Sequence, residues 1–210
     1  MVLVSGATRS IPTAPDWVGR FVVPAARNNP ANLRDGRPWA GDNGALSGGD
    51  ADAFIAMLDA HRGYPNCLFI AAPDVVKKYA DGRIIGNASA TLAQFPRWAR
   101  IIRAFGFPVA LVLQDGITLA DVPWDGLDAV FVGGSTEFKY SQVVCDIVAV
   151  ARAKGKHAHM GRVAGPGRWW HAQQIGIQSC DSSGYSKFFD EMVRRTERWE
   201  RRPPLPLEVA

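Results

Sequence analysis

The run Val109-Ala110-Leu111-Val112-Leu113, closed by Gln114-Asp115-Gly116, sets the reading of the whole chain. A short apolar run that ends in turn residues reads as a buried strand. Similar runs recur on both sides of it, at Met1–Ser5, Phe21–Ala25, Trp39–Asp42, Cys67–Ala72, Ala129–Gly133, His157–Gly161 and Ile175–Cys180. Between them lie stretches with helical spacing: Asp50–Arg62, Ala90–Phe105, Phe138–Lys154, Pro166–Gln174 and Tyr185–Arg201. Asp50 is placed to cap the first of these, with Phe54, Met57 and Leu58 on one face. In the second, Leu92, Phe95, Ala99 and Ile102 form a stripe, and Pro96 implies either a first turn or a kink. Strands alternating with helices predict an α/β fold with a parallel sheet. Seven or eight of them fit a (β/α)8 barrel of the TIM type, compact or slightly abbreviated. A doubly wound open sheet is the alternative. Gly161–Gly167 follows a strand without GxGxxG spacing, which argues against a dinucleotide site.

The 210 residues suit one domain, with loop-like ends at 1–18 and 203–210. Hydrophobic residues make up 47% and charged residues 21%, ordinary values for a globular chain. No apolar run has the length of a membrane span, and Met1–Ser10 does not read as a signal peptide. The three cysteines, Cys67, Cys145 and Cys180, are scattered. They predict neither a disulfide framework nor a zinc site, and point to a reducing, cytoplasmic setting. The net charge of +4 favours polyanions without proving one. Five arginines crowd Arg194–Arg202, either as a solvated face of Glu–Arg pairs or as a phosphate-contacting face.

Polar residues close strand after strand: Asp42-Asn43-Gly44, Pro73-Asp74, Gln114-Asp115-Gly116, Gly133-Gly134-Ser135-Thr136, Met160-Gly161-Arg162 and Cys180-Asp181-Ser182. In a parallel barrel these ends share one mouth, where barrel active sites lie. Without a His or Cys dyad beside them, acyl transfer is not indicated. No lysine closes a strand, Lys139 being the nearest, which weighs against Schiff-base chemistry. Converging carboxylates suit either a metal held by hard oxygen ligands or glycosidic chemistry, with one carboxylate attacking and another moving a proton. An amide beside a carboxylate, as Gln114 and Asp74 would be, also matches the donors and acceptors of a purine edge. Blander roles exist for each. Asp42 suits a turn, Asp74 and Asp181 suit helix caps, and Asp115-Gly116 reads best as an ordinary turn. His157 and His159 alternate on one strand, and neither has a metal-like partner.

In their order along the chain, these motifs resemble the tRNA-guanine transglycosylase superfamily. They are most similar to the short phage and actinobacterial proteins of 7-deazaguanine DNA modification. The resemblance runs from Phe21 to Phe188. It rests on Trp39–Gly44, Ala71–Val76, Leu113–Gly116, Phe131–Thr136, His159–Val163 and Asp181–Gly184. It implies that Asp181 is the nucleophile and Asp42 a general acid/base. It further implies that Asp74 and Gln114 read the purine, that Gly133 and Gly134 offer backbone to the base, and that the base rests on Met160. The tRNA enzymes have Ser-Gly-Gly-Phe after the first aspartate, where this chain has Asn43-Gly44-Ala45, and they carry a C-terminal zinc site for which this chain has no Cys/His set.

The resemblance therefore implies an enzyme that exchanges guanine in DNA for a 7-deazaguanine such as preQ0, through a covalent aspartyl intermediate and without metal or cofactor. The setting would be the host cytoplasm if the chain is phage-encoded. Exchange on tRNA, a non-catalytic deazapurine- or nucleic-acid-binding subunit, and an unrelated metal-dependent aldolase or hydrolase using Asp42, Asp74 and Asp181 are the alternatives. Lys139, Arg162, Arg168 and the basic C-terminal helix are expected to form one positive surface around the mouth. Trp169 and Trp170 there would either stack on bases or pack as core.

Overall fold

The computed structural model describes residues 1–6, 9–24, 29–80 and 84–201. In chain order its strands are β1 (Val2–Val4), β2 (Val18–Val22), β3 (Trp39–Gly41), β4 (Cys67–Ala71), β5 (Val76–Lys78), β6 (Ile84–Gly86), β7 (Val109–Leu113), β8 (Ala129–Val132), β9 (His157–Met160) and β10 (Ser179–Asp181). Eight of these, all but β5 and β6, close into a barrel in the order β1-β10-β9-β8-β7-β4-β3-β2. Every neighbouring pair in it is parallel. Because β1 pairs with both β2 and β10, the sheet has no edge, and the open-sheet alternative falls. β5 and β6 form a separate antiparallel hairpin.

The helices are α1 (Ala51–Ala60), α2 (Ala88–Ala104), α3 (Thr136–Lys139), α4 (Gln142–Ala153), α5 (Pro166–Gln174), α6 (Ser183–Lys187) and α7 (Phe189–Arg201). They do not alternate with every strand. Among the described residues, the connections β1–β2, β2–β3 and β7–β8 carry only short 3₁₀ turns. No described helix is long and apolar enough to cross a membrane.

Local chemistry accounts for the boundaries. Asp50 caps α1 by accepting from the Asp52 and Ala53 amides, and Phe54, Met57 and Leu58 are buried beneath it. Asn87 caps α2, and Pro96 lies well inside that helix, where it denies the Leu92 carbonyl its usual amide. Four expected elements are displaced or broken. The strand placed at Phe21–Ala25 is Val18–Val22, because β1 pairs Val2 with Val18 and Pro24 has no amide for a ladder; Ala25 lies outside the described residues. The run placed at Ile175–Cys180 becomes a strand only at Ser179. Ile175 closes α5, and Gly176, at φ +87°, turns the chain so that the Ile177 amide reaches back to the Ala172 carbonyl. The helix expected over Phe138–Lys154 breaks at Tyr140-Ser141, and the one over Tyr185–Arg201 breaks at Phe188 (φ −136°).

Strand alternation sorts the core into two shells. Outward side chains such as Val2, Val4, Ile70, Leu111, Leu113, Val130, Val132, Ala158 and Met160 pack under the helices. Inward ones, Leu3, Phe21, Ala40, Phe69, Ala110, Ala129 and Phe131, fill the barrel by setting large rings against small residues. Phe131 meets Phe21 at 6.4 Å and Phe69 at 6.2 Å between ring centroids, across the barrel.

Candidate active site

The inward register of each strand delivers a particular residue to the mouth. Ala40 is followed two positions on by Asp42, Val112 by Gln114, Phe131 by Gly133, His159 by Gly161, and Ser179 by Asp181. These residues line a single pocket over the filled barrel, together with Phe21, Asn43, Asp74, Gly134 and Arg162. Val76 and Gly86 of the hairpin complete its wall. Of the expected site residues, Asp42, Asp74, Gln114, Gly133, Gly134, Arg162 and Asp181 are brought together here.

One side of the pocket is an amide–carboxylate array. Asp74 accepts from Asn43 Nδ2 at 2.8 Å through Oδ1 and from Gln114 Nε2 through Oδ2. Asn43 Nδ2 also donates to the Ala72 carbonyl, and its Oδ1 accepts from the Ala45 amide. Gln114 Oε1 accepts the Gly134 amide at 3.1 Å. Asn43, Asp74, Gln114 and Gly134 are thus tied to one another across neighbouring strand ends, with Asn43 Oδ1 held within its own loop by Ala45. Burial raises the Asp74 carboxyl above its usual range, while the two amides oppose that shift. Asp115, read from the sequence as a plain turn residue, also joins strand ends: it accepts from the Ser135 amide at 2.8 Å and the Ser135 hydroxyl at 2.5 Å. Gly134, at φ +66°, makes the tight turn that this clamp requires.

Asp42, next to Asn43 at the end of β3, and Asp181, at the end of β10, line the same pocket. The pocket walls take water from Asp42, and the negative charges of Asp181 and Asp74 add to the effect, so its carboxyl is pushed up to about 7. Burial and the neighbouring negative charges thus favour the protonated form of Asp42. Asp181 accepts a hydrogen bond from His159 Nε2 at 3.1 Å. His159 is fully buried among Phe21, Phe69 and Phe131, and burial lowers the imidazole below its ordinary range. It therefore meets Asp181 as a neutral donor. The sequence left His159 unassigned, although its signal was there: it lies two residues before Gly161 and shares the inward register of the mouth.

Register also corrects Met160. Expected beneath the base, it points outward instead, is wholly buried and packs in the shell under the helices. One step along a strand reverses the face, so His159 and Met160 cannot both look into the barrel.

The positive surface is smaller than expected. Lys139 is only 2% exposed. Its ammonium donates to the Gly133 carbonyl at 2.7 Å and the Gly134 carbonyl at 3.0 Å, and burial pushes it down to about 7, helped by the charges of Arg162 and Arg168. It braces the Gly133-Gly134 turn from below and offers no charge to a surface phosphate. Arg162 is exposed at the rim, adopts φ +61° and donates to the Gly134 carbonyl at 2.6 Å. Arg168 holds Arg162 in turn, donating to its carbonyl at 3.0 Å and to the Thr136 hydroxyl at 2.8 Å. Trp169 is buried, donates to Glu200 and lies 6.3 Å from Trp199, while Trp170 is partly buried against the same core. Both tryptophans are packing residues. On α7, Arg194 and Arg195 pair with Glu191, the solvated-face reading. Its last turns leave the mouth: Glu197, Glu200 and Arg201 line a cleft with Met1 and Trp17, at the end where β1 and β2 begin. Arg202 and 203–210 lie outside the described residues.

Among the described residues, no group of three or more His, Cys, Asp or Glu is arranged to hold a metal ion, so Asp42, Asp74 and Asp181 do not form a ligand set. The chain matches no family model and no curated protein.

Proposed function

We propose that this barrel is a guanine transglycosylase that exchanges guanine in DNA for a 7-deazaguanine base. The observation that supports the reading is one pocket that gathers a buried Asp42, an Asp181 hydrogen-bonded to His159, and an amide–carboxylate array of Asn43, Asp74 and Gln114. Such an array suits a purine edge. Guanine offers N–H donors next to the O6 acceptor. Asp74 suits the donors, and the Gln114 amide and Gly134 N–H suit the oxygen, in exchange for the bonds these groups make to one another.

In the first step an Asp181 carboxylate oxygen bonds to C1′ as the C1′–N9 bond breaks. The electron pair leaves with the purine, which takes its proton from Asp42. A glycosyl ester on Asp181 results. In the second step the incoming base attacks C1′ through its ring nitrogen and surrenders that nitrogen's proton to Asp42. The ester bond breaks, and Asp181 is a carboxylate again. Nothing in this sequence requires a cofactor. The target base must leave the stack to reach a pocket this deep, which costs a few kcal/mol in duplex and less in single strands. Arg162, held by Arg168 at the rim, is placed for the phosphate of that nucleotide.

Intact-mass analysis of the chain incubated with guanine-containing DNA tests the reading. A nucleic-acid adduct should form on the wild-type chain and be absent from Asp181→Asn, which should keep its fold. Wild-type exchange by Asp181→Asn would remove the assignment. Exchange on tRNA and not on DNA would move the substrate, and binding without any adduct or exchange would leave a non-catalytic subunit.

A further inference from the structure

A file of polar side chains runs up the barrel axis beneath Asp181, in an interior otherwise filled by aromatic rings and small residues. It starts at His157, at the foot of β9. His157 Nε2 lies 2.7 Å from Ser179 Oγ, and that hydroxyl lies 2.8 Å from His159 Nδ1. His159 Nε2 then reaches Asp181 Oδ1 at 3.1 Å. Ser179 is 1% exposed and His159 is wholly buried. The rings of Phe21, Phe69 and Phe131 surround His159 at 5.6, 5.2 and 4.5 Å, and Phe69 also meets His157 at 5.6 Å. Three linked polar groups in such an interior are costly unless each bond is made, and each is made.

The hydrogens of this file can be assigned by elimination. Burial holds both imidazoles down, His157 to about 4, so each carries one N–H near neutrality. A carboxylate only accepts, so the His159 proton sits on Nε2. Its Nδ1 is then an acceptor and takes the Ser179 hydroxyl. The Ser179 oxygen accepts in turn from His157 Nε2–H. Every hydrogen in the file therefore points toward the mouth. We infer that His159, locked in its Nε2–H tautomer by Ser179 and His157, is a positioning residue that fixes Asp181 by its Oδ1 and leaves Oδ2 to react. This role rests on the reading of Asp181 as the nucleophile.

The arrangement serves both half-reactions without rearrangement. In the free enzyme the N–H orients the carboxylate. Once Oδ2 is esterified to C1′, Oδ1 is the ester carbonyl oxygen, and the same N–H polarises it and eases the departure of Asp181. No proton travels along the file, so its contribution is geometric and electrostatic.

Two measurements on the full chain test this. Nitrogen NMR of ¹⁵N-histidine-labelled protein at pH 7 should show His157 and His159 neutral, with hydrogen on Nε2. An Nδ1–H tautomer or an imidazolium at His159 overturns the inference. In base exchange, His159→Phe should lower kcat roughly tenfold to hundredfold, the scale of one charge-assisted hydrogen bond, with KM for the incoming base nearly unchanged. His159→Gln, whose amide can donate along the same line, should recover part of the loss. Ser179→Ala removes one hydroxyl with little change in volume, and should lower kcat about tenfold while the His159 tautomers mix. Wild-type kcat in both His159→Phe and Ser179→Ala overturns the positioning role while the transglycosylase reading stands. A wild-type chain that forms no adduct overturns both.

Discussion

Gly86 offers the most direct test of how the amide–carboxylate array is held. It ends the hairpin strand β6, and a Cβ built there would lie 2.0 Å from Gln114 Oε1, 2.3 Å from Cδ and 2.8 Å from Cγ. An ordinary contact begins at 3.4 Å, so in Gly86→Ala the amide must retreat by about 1.4 Å. The end of a glutamine is flexible and can move without strain in the backbone. It cannot move that far and still donate to Asp74 and accept from the Gly134 amide. Leaving those buried partners unmet costs about 1–3 kcal/mol. In a chain of this length each kcal/mol lowers Tm by about 2–4 °C, which gives a fall of roughly 2–12 °C. Affinity for guanine or preQ0 should drop by about fivefold to 150-fold, since each 1.4 kcal/mol is a factor of ten.

A double-mutant cycle isolates the cause. In a Gln114→Ala background the added methyl has nothing to displace, so Gly86→Ala should then cost less than about 0.5 kcal/mol. Calorimetric unfolding and titration of the four chains give every term. Wild-type Tm and affinity in Gly86→Ala would refute the packing of Gly86 on the amide. An equal loss in both backgrounds would place the damage in the hairpin itself.

Asp42→Asn should change how stability depends on pH. The Asp42 carboxyl titrates near 7 in the folded chain and near 3.8 when unfolded. The folded state thus binds the extra proton between those values, so the contribution of Asp42 to stability is fully present below about pH 4 and is lost as pH rises through 7, by up to about 4 kcal/mol. Urea unfolding from pH 4 to 8 should show this slope flattened in Asp42→Asn, and identical slopes would remove the buried-proton assignment. Replacing Arg162 and Arg168 by Ala should reduce the slope of log affinity for single-stranded DNA against log salt by about one unit per lost phosphate contact, whereas Lys139→Met should leave it unchanged. A flatter slope in the lysine variant would mean that its ammonium reaches solvent after all.

The mouth was legible because a parallel barrel sends every strand's C-terminal end to one side. Polar residues closing run after run, from Asp42 to Asp181, then have only one place to converge. The hairpin was not legible: Val76–Lys78 and Ile84–Gly86 are three residues each, too short for alternation to register. Lys139 misled for a related reason. A lysine after a strand end looks like surface charge until the Gly133-Gly134 turn presents two carbonyls toward the core and the ammonium follows them inward. Trp169 and Trp170 sit beside Arg168 in sequence, but helical geometry sends Arg168 to the rim and Trp169 toward α7.

Register was the unused information. Once Gln114 and Asp181 are placed at the mouth, the period of two fixes the inward set below them: Val112 and Ala110 on β7, Ser179 on β10, and, by pairing Ser179 with His159, the histidine on β9. With that pairing in hand, the period of two excludes Met160 and turns His159 inward. What register cannot supply is the proton inventory. Asp42, Asp74 and Asp181 are the same residue type at equivalent places, yet each meets different neighbours. Asp74 is met by two side-chain amides, Asp42 by desolvating walls and a neighbouring negative charge, and Asp181 by an imidazole N–H whose direction is set from the far end of the barrel. Three identical side chains thus differ in charge and hydrogen bonding only through those neighbours, which come from strands far apart in the chain, and the proposed separation of binding, proton transfer and attack rests on that difference.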